Sequence, residues 1–200
     1  MPRFALVLLV CVACGGAAPP KAYKPFGTPP PGAAREDPPA SLHKLTVGAA
    51  APPLALPDTA GGTWSLTEAL ARSPRVVVVF YRGEWCLFCR SQLGDLQASS
   101  DDLAAAGAEL VAVSVDPPDL SAKMVAGMGL RYPVLSDAKL ESIRAYGVED
   151  SDNQLAWPAI VAVERVPGGA QVAWVWAADK QRERIPATEV VAAIKALPKP

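Results

Sequence analysis

The stretch that decides the fold reads Val76-Val77-Val78-Val79-Phe80-Tyr81-Arg82-Gly83-Glu84-Trp85-Cys86-Leu87-Phe88-Cys89-Arg90. Its first six residues are continuously apolar and mostly β-branched, a pattern typical of a strand that is covered on both faces of a parallel or mixed sheet. Downstream, Leu93, Leu96 and Leu103 recur at roughly helical spacing, and Gly94 weakens the pattern and can bend the helix. The two cysteines therefore lie where a buried strand turns into a helix.

This placement favours redox chemistry at Cys86 and Cys89. The first turn of a helix presents unsatisfied backbone N–H groups and the positive end of the helix dipole, and both stabilise a thiolate over a thiol. Arg82 and Arg90 are candidates for lowering the thiol pKa further, and Trp85 for shaping the substrate face. A second thiol three positions along lies in the same turn, so it can resolve a mixed disulfide or a sulfenic acid on the first. The predicted site needs no cofactor beyond the Cys86–Cys89 disulfide.

Three other interpretations of a Cys-x-x-Cys pair stay open. A zinc site would need two further ligands, and the sequence has no second downstream pair and only one histidine, His43. An inert local disulfide would close so tight a loop that it stabilises a domain little. Copper delivery would need a histidine beside the sheet. Since His43 precedes the expected domain, we predict no metal site.

Composition limits the function classes. The chain has 200 residues, is 50% hydrophobic and carries a formal net charge of -1. That length is enough for one well-buried domain, and the charge is too balanced to indicate nucleic acid as a partner.

The N-terminus reads as a targeting segment followed by a tether. Residues 1–16 combine Arg3 with a short apolar stretch and small residues, as in a secretory signal peptide. Cys14 stands where a bacterial lipoprotein signal places its lipid-accepting cysteine, although cleavage after residues 16–18 fits almost as well. Residues 17–44 are rich in Pro, Gly and Ala, which predicts a disordered tether. We therefore expect an exported, membrane-anchored lipoprotein of the bacterial cell envelope that faces the periplasm.

The remaining residues, 45–200, are predicted to form one domain. Two short strands flank the turn at residues 57–62, and Ser65 with Glu68 reads as the capping box of a short helix. Further strands and helices alternate after residue 80, and a hairpin near residue 167 precedes a last helix. This order predicts an α/β three-layer sandwich, in which helices flank a central mixed β-sheet.

The residues around the cysteines resemble a peroxiredoxin-like branch of the alkyl hydroperoxide reductase/thiol-specific antioxidant (AhpC/TSA) family, within the thioredoxin superfamily. Further segments resemble that family in the same order: Val113-Ser114-Val115-Asp116, Tyr132-Pro133-Val134-Leu135-Ser136-Asp137, Tyr146-Gly147-Val148 and Ala159-Ile160-Val161-Ala162-Val163. The similarity covers roughly residues 47–197. It implies a thioredoxin-like fold and a thiol-dependent enzyme.

Departures from the family pattern leave two mechanisms open. In the family spacing Pro-x-x-x-Thr-x-x-Cys, the peroxidatic cysteine falls on Cys89, the threonine on Cys86 and the proline on Arg82. The arginine that the family places before the later strand is replaced by Trp157. The step Trp157-Pro158 instead resembles the X-Pro bond that thioredoxins keep in cis opposite their dithiol. We favour the cis step, because the order of elements places it beside Cys86; the alternative is that Pro158 is a strand-initiating residue.

The resemblance thus implies either of two first nucleophiles. On the thioredoxin pattern Cys86 attacks and Cys89 resolves, whereas on the peroxiredoxin pattern the roles are exchanged. We favour Cys86, because the first thiol of the helix is usually the more exposed. Glu84 is interpreted as an exposed loop residue, and the alternative is a local proton carrier.

We therefore predict an exported thiol-disulfide oxidoreductase with an antioxidant role. The alternatives are a thiol-dependent peroxidase that reduces hydrogen peroxide or alkyl hydroperoxides, and a non-catalytic envelope lipoprotein that binds a partner. The expected partners are a thiol-protein electron donor such as a thioredoxin-like protein, and a disulfide or peroxide substrate.

Overall fold

The computed structural model describes residues 36–43 and 45–198. Within these ranges the chain alternates short strands and helices before ending in a long hairpin and a helix. The strands are β1 (Ala55–Pro57), β2 (Thr63–Ser65), β3 (Arg75–Phe80), β4 (Ala108–Ser114), β5 (Val134–Ser136), β6 (Glu149–Asp150), β7 (Leu155–Ala156), β8 (Ala159–Val166) and β9 (Gly169–Ala177). The helices are α1 (Leu66–Arg72), α2 (Leu87–Ala98), α3 (Ser100–Ala105), α4 (Pro118–Met128), α5 (Glu141–Ala145) and α6 (Ala187–Ala196).

The main sheet has five strands in the order β5-β4-β3-β8-β9. Strand β3 pairs parallel with β4 and antiparallel with β8, and Phe80 is opposite both Val113 and Ala159. The sheet is therefore mixed, as the sequence predicts, and β3 is its central strand. Two small antiparallel ribbons, β1–β2 and β6–β7, lie outside it.

Strand β3 divides the core into two layers. All six of its residues are buried, and they alternate between the faces of the sheet. Val76, Val78 and Phe80 pack into one apolar cluster with residues of α1 and α5. Val77, Val79 and Tyr81 pack into the other with residues of α2, α3, α4 and α6. Both faces of the sheet are covered, which confirms the α/β sandwich and explains why the strand sequence is continuously apolar.

The helix after the cysteines is shorter than the leucine spacing predicts. The predicted single helix through Leu103 is wrong, because the chain breaks at Ser99, which closes α2 and precedes α3. Gly94 lies inside α2 and is not the break. Leu93, Leu96 and Leu103 are nevertheless all fully buried in the same core layer. The leucine pattern therefore reflects burial in this layer and not one continuous helix.

Residues 36–43 lie against the domain, although the sequence assigns them to the tether. Ser41 Oγ donates to the carbonyl of Glu149 at 2.6 Å, and His43 N donates to the carbonyl of Gly147 at 2.7 Å. Leu42 packs against the first core layer. The boundary expected at residue 45 is therefore too late for this described segment, since composition alone does not reveal the backbone partners that a Pro-rich segment finds.

Several local predictions are confirmed. Ser65 caps α1 by accepting from Glu68 N, and the hairpin of β8 and β9 turns at residues 166–169. The ribbon of β6 and β7 was not predicted, because two-residue strands carry no periodic signal. Among the described residues, no helix is both long enough and apolar enough to cross a lipid bilayer.

Candidate functional site

Cys86 and Cys89 form a disulfide at the amino end of α2. Cys86 is the N-cap residue of this helix, and its Sγ accepts from the backbone N–H of Cys89 at 3.3 Å. The first helical residues are Leu87 and Phe88, which separate the two cysteines. The sulfur of Cys86 thus occupies the place where a capping oxygen usually satisfies a free N–H, and the same N–H stabilises a thiolate once the disulfide is reduced.

The guanidinium of Arg184 contacts both sulfurs. Its Nη2 lies 2.9 Å from Cys89 Sγ and 3.5 Å from Cys86 Sγ. Its Nη1 donates to the carbonyl of Gln181 at 2.8 Å, which fixes the side chain within the loop between β9 and α6. A guanidinium at this distance favours a negative charge on sulfur, so the arrangement lowers the energy of a thiolate at either cysteine, and more so at Cys89.

Arg82 gives the site a second cation, which is buried, whereas Arg184 is half-buried. Its guanidinium carbon lies 4.8 Å above the ring of Trp85, in the geometry of a cation–π contact. Burial lowers the pKa of Arg82 to about 10, against the opposing effect of Asp150. Burial, then repulsion from Arg82, lowers the pKa of Arg184 to about 10. Both groups remain protonated at neutral pH, and their mutual repulsion is relieved by a nearby anion such as a thiolate.

Asp116 fixes the loop between β3 and Cys86 through a hydrogen bond to the loop backbone. Asp116 Oδ2 accepts from the backbone N–H of Glu84 at 2.8 Å and from Ser114 Oγ at 2.9 Å. Burial, the dominant cause, raises the pKa of Asp116 to about 6, and the charge of Glu84 adds to this while the two hydrogen bonds oppose it. Glu84 itself is fully buried, so its interpretation as an exposed loop residue is wrong. It is buried because Asp116 fixes its backbone beneath the site.

Close packing in this loop also involves Gly83. Its φ is +157°, in a range that side chains rarely adopt, and a Cβ there would lie 2.6 Å from Trp85 Nε1 and 3.1 Å from Asp116 Oδ1. Only glycine therefore lets the loop pass between the indole and the carboxylate.

The peptide bond between Trp157 and Pro158 is trans, since the described residues contain no cis peptide bond. The predicted cis step is therefore wrong. Pro158 instead precedes β8, and its carbonyl accepts from Ala178 N at 3.0 Å. Trp157 is fully buried and donates Nε1–H to the carbonyl of Ala178 at 2.8 Å, so its indole has a structural role in the core. Both residues lie at the sheet edge where β3 ends, because Ala159 is opposite Phe80.

The remaining predicted site residues differ in burial and in whether the structure describes them. Trp85 is half-buried and packs against the layer that contains both cysteines. Arg90 lies one residue after Cys89 and is half-buried, with its Nε enclosed in protein. Cys14 lies outside the described residues. Within the described ranges, no group of three or more His, Cys, Asp or Glu side chains is placed to hold a metal ion.

Sequence reasoning missed Arg184 and Asp116 as parts of the site. Arg184 lies 95 positions after Cys89 in a charged loop without a motif, so no spacing rule connects it to the thiols. The sequence presents Asp116 only within the segment Val113-Ser114-Val115-Asp116, which resembles the family. A signal existed for Asp116, because it lies two residues after β4, the strand adjacent to β3, and parallel neighbours end at the same edge of a sheet.

Comparisons with known proteins give one matching family and several individual relatives. The model of the AhpC/TSA family matches residues 47–166. A putative peroxiredoxin of Mycobacterium tuberculosis is 36% identical over 104 residues, which are 52% of this chain and 65% of that protein. The thiol-disulfide oxidoreductase ResA of Geobacillus thermodenitrificans is 29% identical over 105 residues, 52% of this chain and 59% of that protein. The chain thus spans less than two thirds of these relatives.

Similarity to solved structures concerns the fold. The crystal structure of peroxidoxin BcpB from Mycobacterium tuberculosis superposes with a TM-score of 0.67 and 21% sequence identity, and the match covers 78% of this chain and all of that one. The sandwich described above is therefore that of a thioredoxin-fold protein.

Proposed function

Because this chain belongs to the AhpC/TSA family, we propose that it is a thiol-disulfide oxidoreductase with an antioxidant role, which cycles Cys86 and Cys89 between dithiol and disulfide. The observation that carries the proposal is the disulfide at the amino end of α2, with the Arg184 guanidinium against both sulfurs. One helical turn thereby holds the nucleophile and the resolving thiol, and the loop between β9 and α6 supplies the guanidinium that stabilises the thiolate.

The proposed cycle transfers two electrons. A thiolate of the reduced protein attacks a substrate disulfide and forms a mixed disulfide, which expels one substrate thiolate. The second cysteine then attacks the mixed disulfide, releases the other substrate thiolate and closes the Cys86–Cys89 bond. A thiol protein restores the dithiol by two exchange steps in the opposite direction and is itself oxidised. We propose a thioredoxin-like protein as this donor.

The choice of first nucleophile rests on two opposing observations. Cys86 is 5% exposed and Cys89 is fully buried, which favours Cys86 for attack on a bulky disulfide. Arg184 lies closer to Cys89, which favours Cys89 as the sulfur that carries the negative charge when the disulfide is broken. We propose that Cys86 exchanges with partners and that Cys89 resolves.

An insulin-reduction assay tests this function. With dithiothreitol as electron source, the wild type is expected to accelerate insulin reduction, and Cys86→Ser to lose the acceleration. Equal, negligible activity in both proteins would contradict the oxidoreductase and favour a non-catalytic binding module.

A second candidate is a peroxidase, favoured by the guanidinium at Cys89 and by the peroxiredoxin names among the relatives. In that reaction a thiolate attacks a peroxide oxygen, gives a sulfenic acid and releases an alcohol or water. The other thiol then condenses with the sulfenic acid, forms the disulfide and releases water. Stopped-flow mixing of the reduced protein with hydrogen peroxide tests it. Oxidation no faster than that of free cysteine would contradict the peroxidase.

We also propose that the protein is exported to the bacterial cell envelope and anchored through a lipid on Cys14, facing the periplasm. The sequence of residues 1–16 supports this proposal. Radiolabelled palmitate is expected to enter the wild type and not Cys14→Ser, and equal labelling of both would contradict the anchor.

A further inference from the structure

The two residues between the cysteines form an exposed apolar patch. Among the described residues, the exposed large hydrophobic side chains are Leu87 at 67%, Phe88 at 50% and Val47 at 60%. Leu87 and Phe88 are adjacent and belong to the first turn of α2, where both flanking cysteines are buried. Single exposed hydrophobic residues are ordinary, but a pair that separates the reactive sulfurs lies where any reaction partner must approach.

Access to the disulfide explains why the patch matters. Cys89 is fully buried and Cys86 retains 5% of its surface, so an attacking thiolate reaches Cys86, which directly precedes the exposed residues Leu87 and Phe88. A small-molecule thiol has to contact only the sulfur of Cys86. In a protein the thiol is surrounded by protein surface, and this surface must contact the side chains of Leu87 and Phe88.

Charge at the site fits an incoming thiolate. Arg184 touches both sulfurs, and repulsion from Arg82 contributes to its lowered pKa. An anion that approaches Cys86 relieves this repulsion, whereas a partner with cations around its thiol would increase it. The complementary surface is therefore an exposed cysteine set among apolar residues without neighbouring positive charge.

We propose that Leu87 and Phe88 are the docking patch for the protein that donates electrons to the Cys86–Cys89 disulfide. This inference rests on the proposed function and adds the surface and the kind of partner. The donor thiolate attacks Cys86 Sγ, the Cys86–Cys89 bond breaks, and Cys89 leaves as a thiolate beside Arg184. A second donor thiol then attacks the mixed disulfide, releases Cys86 and leaves with its own disulfide. Two electrons pass from donor to acceptor.

The test compares two reductants on the oxidised protein. Stopped-flow tryptophan fluorescence measures the rate of disulfide reduction by a reduced thioredoxin and by dithiothreitol, for the wild type and for the double variant Leu87→Ser/Phe88→Ser. We expect the ratio of the thioredoxin rate to the dithiothreitol rate to fall about tenfold or more, as loss of a central apolar anchor does at interfaces. Val47→Ser is the matched control, since Val47 is the other exposed large hydrophobic residue in the described part of the chain and is remote in sequence from the cysteines, and its ratio is expected to stay at the wild-type value.

Three results would overturn the proposal. An unchanged ratio in the double variant shows that the patch does not contact the donor. A wild type that thioredoxin reduces no faster, per thiol, than dithiothreitol shows that docking gives no advantage. Concentration-dependent self-association of the wild type that the double variant lacks assigns the patch to a second copy of the chain. The measured step is reduction of the protein's own disulfide, so it stands apart from the insulin assay that tests the proposed function.

Discussion

At the scale of single residues, the site depends on charges that the fold holds near the sulfurs. Arg184 reaches the disulfide from a loop far along the chain, while Asp116 fixes the loop that leads into Cys86. The first acts on the thiolates directly, and the second acts through the backbone of Glu84. Their substitutions should therefore affect different observables.

Replacing Arg184 should shift the pH dependence of thiol reactivity. In Arg184→Gln the guanidinium that contacts Cys89 Sγ at 2.9 Å is lost, so the thiolate forms only at higher pH. We expect the midpoint of the rate of iodoacetamide alkylation of the reduced protein to rise by about 1–2 pH units. Arg182→Gln is the matched control, because Arg182 is an exposed arginine of the same loop. Identical midpoints in the two variants would contradict the role of Arg184.

Replacing Asp116 should change how stability depends on pH. The folded-state pKa of Asp116, about 6, lies above the ordinary aspartate pKa of 3.8, so the folded protein binds more protons than the unfolded chain between these values. The unfolding free energy contributed by this group therefore falls as pH rises from about 4 to 6 and stays low above it.

In Asp116→Asn this decline should disappear, because an amide accepts the same hydrogen bonds without a charge. We expect its unfolding free energy at pH 7 to exceed that of the wild type by about 1–3 kcal/mol, with the gap closing near pH 4. Urea denaturation at pH 4, 5, 6 and 7 measures this. Asp95→Asn, on the exposed face of α2, serves as control, and a gap independent of pH would refute the titration.

At the scale of elements, the docked segment 36–43 is determined less by its local sequence than the start of α2 is. The helix start was predictable from the apolar strand and the leucines. Docking of the N-terminal segment 36–43 on the domain depends on Gly147, whose φ of +67° and missing side chain let the His43 carbonyl approach closely. A Cβ at this position would overlap that carbonyl.

Gly147→Ala should therefore displace the N-terminal segment 36–43 from its contacts with the domain. The added methyl group both strains a left-handed backbone and displaces His43, for an expected loss of about 2 kcal/mol of unfolding free energy. Limited proteolysis within residues 36–43 should become faster in this variant than in Gly168→Ala, where φ is also positive but the Cβ position is open. Equal protection of the segment in both variants would show that the contact is not required.

At the scale of the whole molecule, the domain extends further toward the N-terminus than its composition indicates. Removal of residues 1–35 leaves the docked segment in place, whereas removal of residues 1–44 takes away Leu42 and the hydrogen bonds of Ser41 and His43. We expect the longer truncation to lower the unfolding free energy by about 2–3 kcal/mol relative to the shorter one. Guanidinium denaturation of the two proteins checks this, and equal midpoints and slopes would restore the boundary at residue 45.

Sequence reasoning predicted the sandwich because β3 to β5 and the final hairpin carry strong apolar runs, each bounded by turn residues. It placed the redox pair correctly at a strand-to-helix junction for the same reason. It failed where a contact joins distant segments, as between Arg184 and Cys89. It also failed at Pro158, whose peptide bond is trans. The sequence pattern of a proline before a strand is the same whether that bond is cis or trans.

The stacking of Arg82 on Trp85 has a practical consequence. The indole of Trp85 packs into the layer that contains the disulfide and precedes Cys86 directly in the chain. A disulfide quenches the emission of an excited indole nearby, whereas two thiols do so less. The protein therefore carries an intrinsic optical reporter of its own oxidation state, and Trp85→Phe should abolish most of the fluorescence change that accompanies reduction.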